Sequence, residues 1–396
     1  MIDDGLSRRG FIQRSAAGVG AFAALGASAS GESLPRSEYQ GPNVVIIRFG
    51  GGVRRRETID PQHTYAPYFL HELSKRGTLY TNMEMANIDG VQTGHGEGTL
   101  YILTGKYNAY TDVSKDPLGF GERFESDVPT LFECLRKKYA IPEHETLIIN
   151  SEDRTDEEFY SFSNHHLFGL EYKSSVLSLY RFKVHLLQEQ LARGGFEDQL
   201  LEEKQRELAN LMEIDKRVTQ RGKQSPEITA FWDRWRSHYG ESGFVNPRGD
   251  RLLTKLTVRA IRELRPKLLM VNYCDPDYVH WGNPSHYTRG ISIIDEGIQR
   301  IVDAVEADEA YRDNTVFVIV PDCGRDNTRL ASVPFQHHFG SKASHEIFAL
   351  IVGPGVAKDN VVDKKVDQTS IAKTVGQLMG MPMAEAEGPV LADAFS

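Results

Sequence analysis

Polar side chains that can bind metal follow or precede several apolar runs of this sequence. Asp277 and His280 follow one run, and Asp322 and Cys323 follow another. Three histidines precede a further run: His337, His338 and His345. If the runs are parallel strands, the side chains that follow them meet at one edge of a sheet, where ligands bind in open α/β folds, and we expect histidines from the loop before the last run to join them there. Carboxylate, imidazole and thiolate ligands suit zinc or manganese. We therefore expect a site for one or two divalent ions. Of the three histidines we take His338 as the ligand, and His337 and His345 are the alternatives.

Basic residues near this predicted site could hold an anionic substrate. Arg325 follows Asp322 closely, and Lys342 lies among the histidines. Both are candidates for substrate binding. The run Arg54–Arg56 could do the same, but a charge run on a solvated face is the alternative.

The elements that must position these residues alternate along the chain. Apolar runs at residues 43–47, 78–83, 147–149, 267–272, 315–320 and 348–352 predict buried strands. Residues 66–77, 99–104, 127–138, 286–305 and 369–379 predict helices. The alternation indicates an α/β protein whose mostly parallel sheet is sandwiched by helices.

Residues 156–240 depart from this alternation. They are charged, poor in turn residues and helical in pattern, and Ser225-Pro226 marks a helix start. We expect an inserted helical region here, within a domain spanning residues 30–396. The pair Trp232 and Trp235 predicts packing within that region.

The first 29 residues have the pattern of a twin-arginine signal peptide. Arg8-Arg9 precedes a weakly apolar stretch, and Ala27-Ser28-Ala29 fits a small-residue cleavage site. A chance arginine pair before an Ala-rich helix is the alternative. The signal predicts a periplasmic or secreted protein.

Composition excludes several classes of function. The formal net charge is −9 over 396 residues, which argues against nucleic-acid binding. The three cysteines are far apart and form neither a metal knuckle nor a disulfide framework. Beyond the signal, we expect no transmembrane segment.

Several short phrases, in order, resemble the alkaline phosphatase superfamily, which includes sulfatases and nucleotide phosphodiesterases. Leu103–Tyr107 is similar to the sulfatase phrase LLTGRYP, and Pro276–Gly282 is similar to the metal-binding phrase PDxxGHxxG. Asn314–Gly324 is similar to NTxxxxxSDHG, with Cys323 in place of the histidine. The resemblance spans about residues 43–396 and implies that superfamily's α/β fold, with two divalent metals and a covalent nucleophile.

The resemblance also implies positions for the nucleophile and the ligands. Counting back from Gly105 places the nucleophile at His95, and Thr93 is a hydroxyl two residues earlier, so both are candidate catalytic residues. The superfamily's first metal-binding aspartate falls at Gly50, where Glu57 or Asp60 could substitute. The sulfatase phrase CxPxR does not occur, which argues against a formylglycine enzyme.

Two functions are compatible with these features. The first is an exported metal-dependent hydrolase of phosphate, sulfate or phosphonate esters, acting on a small anionic ester. The second is a catalytically degenerate relative that binds an extracytoplasmic protein partner or assists assembly.

Overall fold

Short apolar runs form the strands of the central sheet, as the sequence predicts. The computed structural model describes residues 39–108, 110–112, 124–151, 168, 170–214, 224–241, 249–280, 283–326, 335–337 and 340–395. The strands are β1 (Asn43–Arg48), β2 (Gly77–Glu84), β3 (Tyr110–Asp112), β4 (Phe124–Ser126), β5 (Thr146–Asn150), β6 (Ser175–Leu177), β7 (Leu268–Asn272), β8 (Thr315–Val320), β9 (Glu346–Val352), β10 (Asn360–Val362) and β11 (Val366–Asp367).

The main sheet is mixed but mostly parallel, which confirms the predicted fold class. Its order is β10-β2-β9-β8-β1-β7-β5-β6, and β11 also pairs with β2. Strand β9 runs antiparallel to both β8 and β2, while the other pairs in this sheet are parallel. Strand β1 therefore lies between β7 and β8. The carboxyl ends of these three strands meet at one edge.

Helices cover both faces of the sheet. They are α1 (Arg55–Thr58), α2 (His95–Thr104), α3 (Leu131–Tyr139), α4 (Leu179–Arg193), α5 (Asp198–Ile214), α6 (Pro226–Tyr239), α7 (Asp250–Leu264), α8 (Pro284–Glu306), α9 (Lys342–His345) and α10 (Ser370–Leu378). In β1, Val45 and Ile47 join the core beneath α4, α6, α7 and α8. The alternate residues Val44 and Ile46 join the core beneath α2, α3 and α10. This two-residue period is what a strand buried on both faces requires.

The prediction of one regular helix closed by a glycine cap over residues 66–77 is corrected by the structure. It forms a π-helical turn, Tyr68–Glu72, followed by a 3₁₀ turn, Leu73–Arg76. Gly77 is the first residue of β2 and has extended backbone, with φ of −156°, rather than a left-handed helix cap. A Cβ there would lie 2.0 Å from the carbonyl oxygen of Ile351 on β9. Close strand pairing, not helix termination, explains this glycine.

Helix α2 starts at His95, four residues earlier than the sequence predicts. Glycines in its first turn have poor helix propensity and hide the start. At Gly98, a Cβ would lie 2.2 Å from the carbonyl oxygen of Asp322. Glycine thus lets the first turn of α2 approach the loop after β8, and His95 comes to lie beside Asp322.

The described part of the predicted helical insertion contains helices α4, α5 and α6. Trp232 and Trp235 are fully buried and belong to the same core as Val45 and Ile47 of β1. Replacing either tryptophan by alanine would cost about 3–5 kcal/mol. Helix α6 is therefore part of the layer that covers one face of the sheet. Helix α7, which is absent from the predicted elements, packs beside α6.

The predicted signal, residues 1–29, lies outside the described residues. Among the described residues, none of the helices combines the length and apolar character needed to cross a membrane.

Candidate functional site

Three loops meet at the carboxyl ends of β1, β7 and β8. The loop after β1 contains Gly50–Gly52, and each glycine allows a close backbone approach. A Cβ at Gly50 would lie 1.9 Å from the carbonyl oxygen of Tyr273, and one at Gly51 would lie 2.6 Å from the backbone nitrogen of Asp277. The backbone nitrogen of Gly52 donates to Oδ1 of Asp322 at 3.2 Å. The glycine loop therefore contacts the backbone of Asp277 and the carboxylate of Asp322.

His95 lies between these two aspartates at the first turn of α2. Its Nδ1 lies 2.7 Å from Oδ2 of Asp322, and its Nε2 lies 2.7 Å from Oδ1 of Asp277. The Nε2 contact is short, but it lacks the alignment of a hydrogen bond. Burial lowers the pKa of His95, but the two carboxylates outweigh it and raise the pKa well above its ordinary value.

Asp322 is the enclosed carboxylate of the pair. It is fully buried and accepts from the backbone nitrogens of Gly52 and Cys323, the latter at 2.8 Å. Arg48, also fully buried, lies 3.6 Å from it. Burial alone would raise the pKa of Asp322, but His95 and Arg48 hold it well below its ordinary range.

Asp277 is the more accessible carboxylate, with its side chain 13% exposed. It lies in a 3₁₀ turn after β7, Asp275–Tyr278. Its Oδ1 is 2.7 Å from Nε2 of His280 and 3.4 Å from Nε2 of His337. Burial would raise the pKa of Asp277, but the imidazoles of His95, His280 and His337 lower it far below its ordinary value.

The hydrogen bonds of His337 fix which ring nitrogen carries a proton. Its Nδ1 lies 2.7 Å from the carbonyl oxygen of Thr93, which can only accept, so Nδ1 donates. The hydroxyl of Thr93 in turn donates to the carbonyl oxygen of His337. Nε2 of His337 is thereby directed at Asp277, in the manner of metal-binding histidines whose other nitrogen donates to a carbonyl.

The structure brings Thr93, His95, Asp277, His280, Asp322 and Cys323 to this edge of the sheet. His337 joins them, while His338 lies outside the described residues. Sequence reasoning left the choice among the histidines open, because neighbouring residues in an irregular segment give no periodic signal. His345 is part of neither metal-ligand group that the described residues form at this edge.

Cys323 places its Sγ 3.9 Å from Nδ1 of His95. Burial, together with Asp322, raises the pKa of its thiol to about 12. The thiol therefore stays protonated in the protein without metal. It can act as a ligand only by losing that proton to a bound cation.

The two predicted anion-binding residues differ in their surroundings. Arg325 is buried beside Asp277, 3.5 Å from its Oδ1, and donates to the carbonyl oxygens of Gly51, Gly52, Val279 and Phe335. Most of its donors are therefore used in joining loops. Lys342 is 83% exposed, with Nζ 3.4 Å from Glu346.

The position of the superfamily's first metal-binding aspartate has no space for a side chain. Gly50 is enclosed by Tyr273 and by Arg48, whose Nε would lie 2.8 Å from a Cβ there. Glu57 instead binds Arg54 at 2.7 Å, and Asp60 binds His63 at 2.7 Å. Arg48 reaches Thr99 at 2.8 Å and the carbonyl oxygen of Tyr273 at 3.1 Å. A strand-end arginine gave no signal of this role in the sequence.

The donor set fits a divalent cation. Among the described residues, two ligand groups lie at this edge, each with its ligand atoms within 4.8 Å: Asp277, His280 and His337, and His95, Cys323 and His337. Nitrogen, oxygen and sulfur donors of this kind suit zinc.

Comparisons with known proteins agree with this architecture. Residues 228–383 match the family model described as the Metalloenzyme superfamily. Residues of that span include Asp277, His280, Asp322 and Cys323. No match was found among curated proteins.

Solved structures show the same fold at low sequence identity. A protein in the alkaline phosphatase superfamily from Vibrio parahaemolyticus is 14% identical, with a TM-score of 0.53 over 91% of this chain and 72% of its own. The wild-type alkaline phosphatase PafA is 12% identical, with a TM-score of 0.54 over 92% of this chain and 100% of its own. A 2-O GAG sulfatase is 14% identical, with a TM-score of 0.50 over 89% and 74%. The predicted resemblance is confirmed at the level of fold.

Proposed function

We propose that this chain, which has the fold of the alkaline phosphatase superfamily, is a metal-dependent hydrolase of phosphate or related sulfate or phosphonate esters. The fold supports a phosphate or sulfate ester hydrolase family. A match to the Metalloenzyme superfamily implies metal binding. The finer assignment depends on the geometry around Asp277.

One observation carries the proposal: Oδ1 of Asp277 faces Nε2 of both His280 and His337. Because Nδ1 of His337 donates to a carbonyl, the neutral form of His337 presents the lone pair of Nε2 to that carboxylate. Without metal, a proton on Nε2 makes this 3.4 Å contact a hydrogen bond, and a divalent metal would replace that proton and bind both atoms. We therefore assign Asp277, His280 and His337 as the ligands of a divalent metal.

The residues around this site have distinct parts in the proposed reaction. When bound, the metal supplies Lewis-acid polarisation of an ester oxygen. Thr93 brings its hydroxyl next to His337 and is the proposed nucleophile, which would form a covalent ester and release the alcohol. His95 lies between Asp277 and Asp322, whose charges raise its pKa, and its contacts with both hold the two carboxylates in place.

The test compares two aspartate–histidine pairs of the same spacing. Asp277 and His280 are three residues apart with a contact of 2.7 Å, and so are Asp60 and His63 on the surface. We expect Asp277→Asn to lower hydrolysis of chromogenic phosphate or sulfate esters by more than about 100-fold, because removing a direct ligand exceeds the effect of an outer partner. Asp60→Asn is the matched control and should leave activity unchanged.

A second pair of variants tests the nucleophile. Thr93→Ala should abolish turnover, and Thr93→Ser should retain a measurable part of it, since serine keeps the hydroxyl. Equal activity of Thr93→Ala and the unaltered protein would exclude this role. Elemental analysis of both variants should give unchanged metal content.

The enclosed Gly50 favours one alternative function. A site that cannot hold the superfamily's first aspartate could serve binding or assembly outside the cytoplasm, without catalysis. In that case the purified protein would hydrolyse none of these esters with zinc or manganese supplied. Turnover that a chelator abolishes would exclude this alternative.

Export by the twin-arginine route is also part of the proposal, supported by Arg8-Arg9 and by the sequence Ala27–Ala29. Substitution of both arginines by lysine should keep the protein in the cytoplasm of an expression host. A small anionic ester is then the expected substrate, and nucleic acid is not.

A further inference from the structure

A second group of metal-binding residue types lies in the helical layer, on helices α4 and α6. His185 and Glu189 are one turn apart on α4, and Asp233 faces them from α6. Their ligand atoms all lie within 4.8 Å of one another. Each residue comes from the region predicted as an insertion, and none contributes to the site around Asp277.

The distances in this group fit metal coordination better than hydrogen bonding. Nε2 of His185 lies 3.6 Å from Oε1 of Glu189 and 3.6 Å from Oδ1 of Asp233. Hydrogen bonds to imidazole nitrogens fall at about 2.7–3.2 Å, so neither contact is one. Ligands bound tetrahedrally to zinc at about 2.0–2.2 Å are separated by roughly 3.4 Å, which is close to both distances.

The histidine nitrogen at the centre of the group has no hydrogen-bond partner among the described residues. The His185 side chain is only 8% exposed, so water does not readily replace that partner. A buried polar atom of this kind costs about 1–3 kcal/mol when nothing satisfies it. Here it points between two carboxylates, which is where a cation would satisfy all three groups.

An arginine orients one of the carboxylates. Nη1 of Arg236 donates to Oε2 of Glu189 at 3.1 Å. Oε1 is left directed at His185, and outer hydrogen bonds of this kind fix the orientation of metal-binding carboxylates. The Asp233 side chain is 55% exposed, so the fourth position of a tetrahedral ion would be open to water.

We propose that His185, Glu189 and Asp233 bind one zinc ion, separate from the site around Asp277. The ion joins α4 to α6 and thereby stabilises the helical layer. Because metal binds the folded arrangement and not the separated helices, zinc raises the stability of the protein by mass action.

The proposal is tested on the full chain by zinc content and thermal unfolding. We expect His185→Gln to remove one equivalent of zinc per chain, while Asp277→Asn keeps that equivalent. We also expect zinc to raise the Tm of Asp277→Asn by about 3–5 °C. Zinc should leave the Tm unchanged in the double variant that carries both Asp277→Asn and His185→Gln. Cobalt added to Asp277→Asn should give the visible absorption of a tetrahedral ion.

Two further variants guard against a folding defect in His185→Gln. Glu189→Gln and Asp233→Asn change partly exposed side chains and keep the buried ring, so both should fold and lose the zinc-dependent rise in Tm. The control is Glu207→Gln, which removes a carboxylate that pairs with Lys183 of α4 at 2.7 Å. It should keep the full rise.

Unchanged zinc content in all three ligand variants would overturn the proposal. The proposal would also be overturned if His185→Gln lowered the Tm by the same amount with and without zinc. That result would show that His185 contributes an ion pair with the two carboxylates and no zinc binding. Failure of the Asp277 site to bind metal would leave the expected single equivalent at His185 in place, so the two proposals fail separately.

Discussion

Asp322 and Asp277 both contact His95 at 2.7 Å, yet their surroundings differ. Asp322 is fully enclosed and receives two backbone N–H groups as well as the nearby Arg48. Asp277 is partly accessible and faces imidazole nitrogens, with Arg325 3.5 Å from its Oδ1. Two residues with the same predicted role therefore have different roles in the structure. The enclosed Asp322 joins the loops, and the accessible Asp277 is positioned to bind a metal.

The largest expected effect of this difference is on stability. Asp322→Asn should lower the free energy of unfolding by about 3–5 kcal/mol, because it leaves Arg48 buried without its anion and removes one of the two carboxylates beside His95. Asp277→Asn should cost less than about 2 kcal/mol, since water reaches that position. Urea unfolding of both metal-free variants measures the contrast. Equal losses would contradict the division of roles.

The glycine loop gives the next effect. Gly50→Asp should lower stability by about 3 kcal/mol, because its Cβ would meet the carbonyl oxygen of Tyr273 at 1.9 Å. It should add no metal, although it restores the superfamily's residue type. Gly355→Ala, where space is open in the turn Gly353–Val356, should cost only about 1–2 kcal/mol for its positive φ. Elemental analysis showing an added ion in Gly50→Asp would refute this reading of the loop.

A third buried carboxylate, Asp250, forms no salt bridge with any of the described residues, and its effect on stability depends on pH. Asp250 is fully buried at the start of α7, and burial, together with the nearby Asp275, raises its pKa to about 8. The folded state therefore binds a proton that the unfolded state loses near pH 4, so this group lowers stability as pH rises from about 4 to 8.

Asp275→Asn removes the second cause of that shift. We expect the loss of stability between pH 5 and pH 8 to shrink by about 1 kcal/mol, measured by urea unfolding at both values. Glu203→Gln, exposed on α5, should leave the pH dependence as it is. An unaltered slope in Asp275→Asn would mean that burial alone sets the pKa of Asp250.

The smallest effect is expected at Cys323. Cys323→Ala should cost about 1 kcal/mol of stability and leave metal content unchanged, because the proposed ligands are Asp277, His280 and His337 and the thiol lies next to His95. The thiol should also react slowly with disulfide reagents in the folded protein. Loss of one metal equivalent in this variant would show that Cys323, next to the enclosed Asp322, also binds metal.

Much of the fold was predictable because strands buried on both faces are short apolar runs. Residues 315–320 form β8 as predicted, and Asp277 and Asp322 share an edge because their strands are parallel neighbours of β1. The start of α2 was not predictable, since its glycines serve a tertiary contact that local propensity does not contain.

The site was less predictable because the type of a residue does not show which atoms surround it in the folded chain. Gly50 indicates a missing ligand in the sequence, whereas the structure shows a backbone contact that excludes any side chain. Arg325 carries the charge expected for anion binding, yet its donors reach backbone carbonyls of loops far apart in sequence. Only the folded chain reveals such partners.

The central place of β1 has a consequence for the nascent chain. Val44 pairs with Leu268 and with Val316, each more than 200 residues later. Contacts this distant in sequence slow folding. At a synthesis rate of about 5–20 residues per second, the apolar β1 waits roughly 15–50 s for its neighbours to emerge. During that interval neither strand partner of its apolar run is in place, which is the condition under which nascent chains aggregate or bind chaperones.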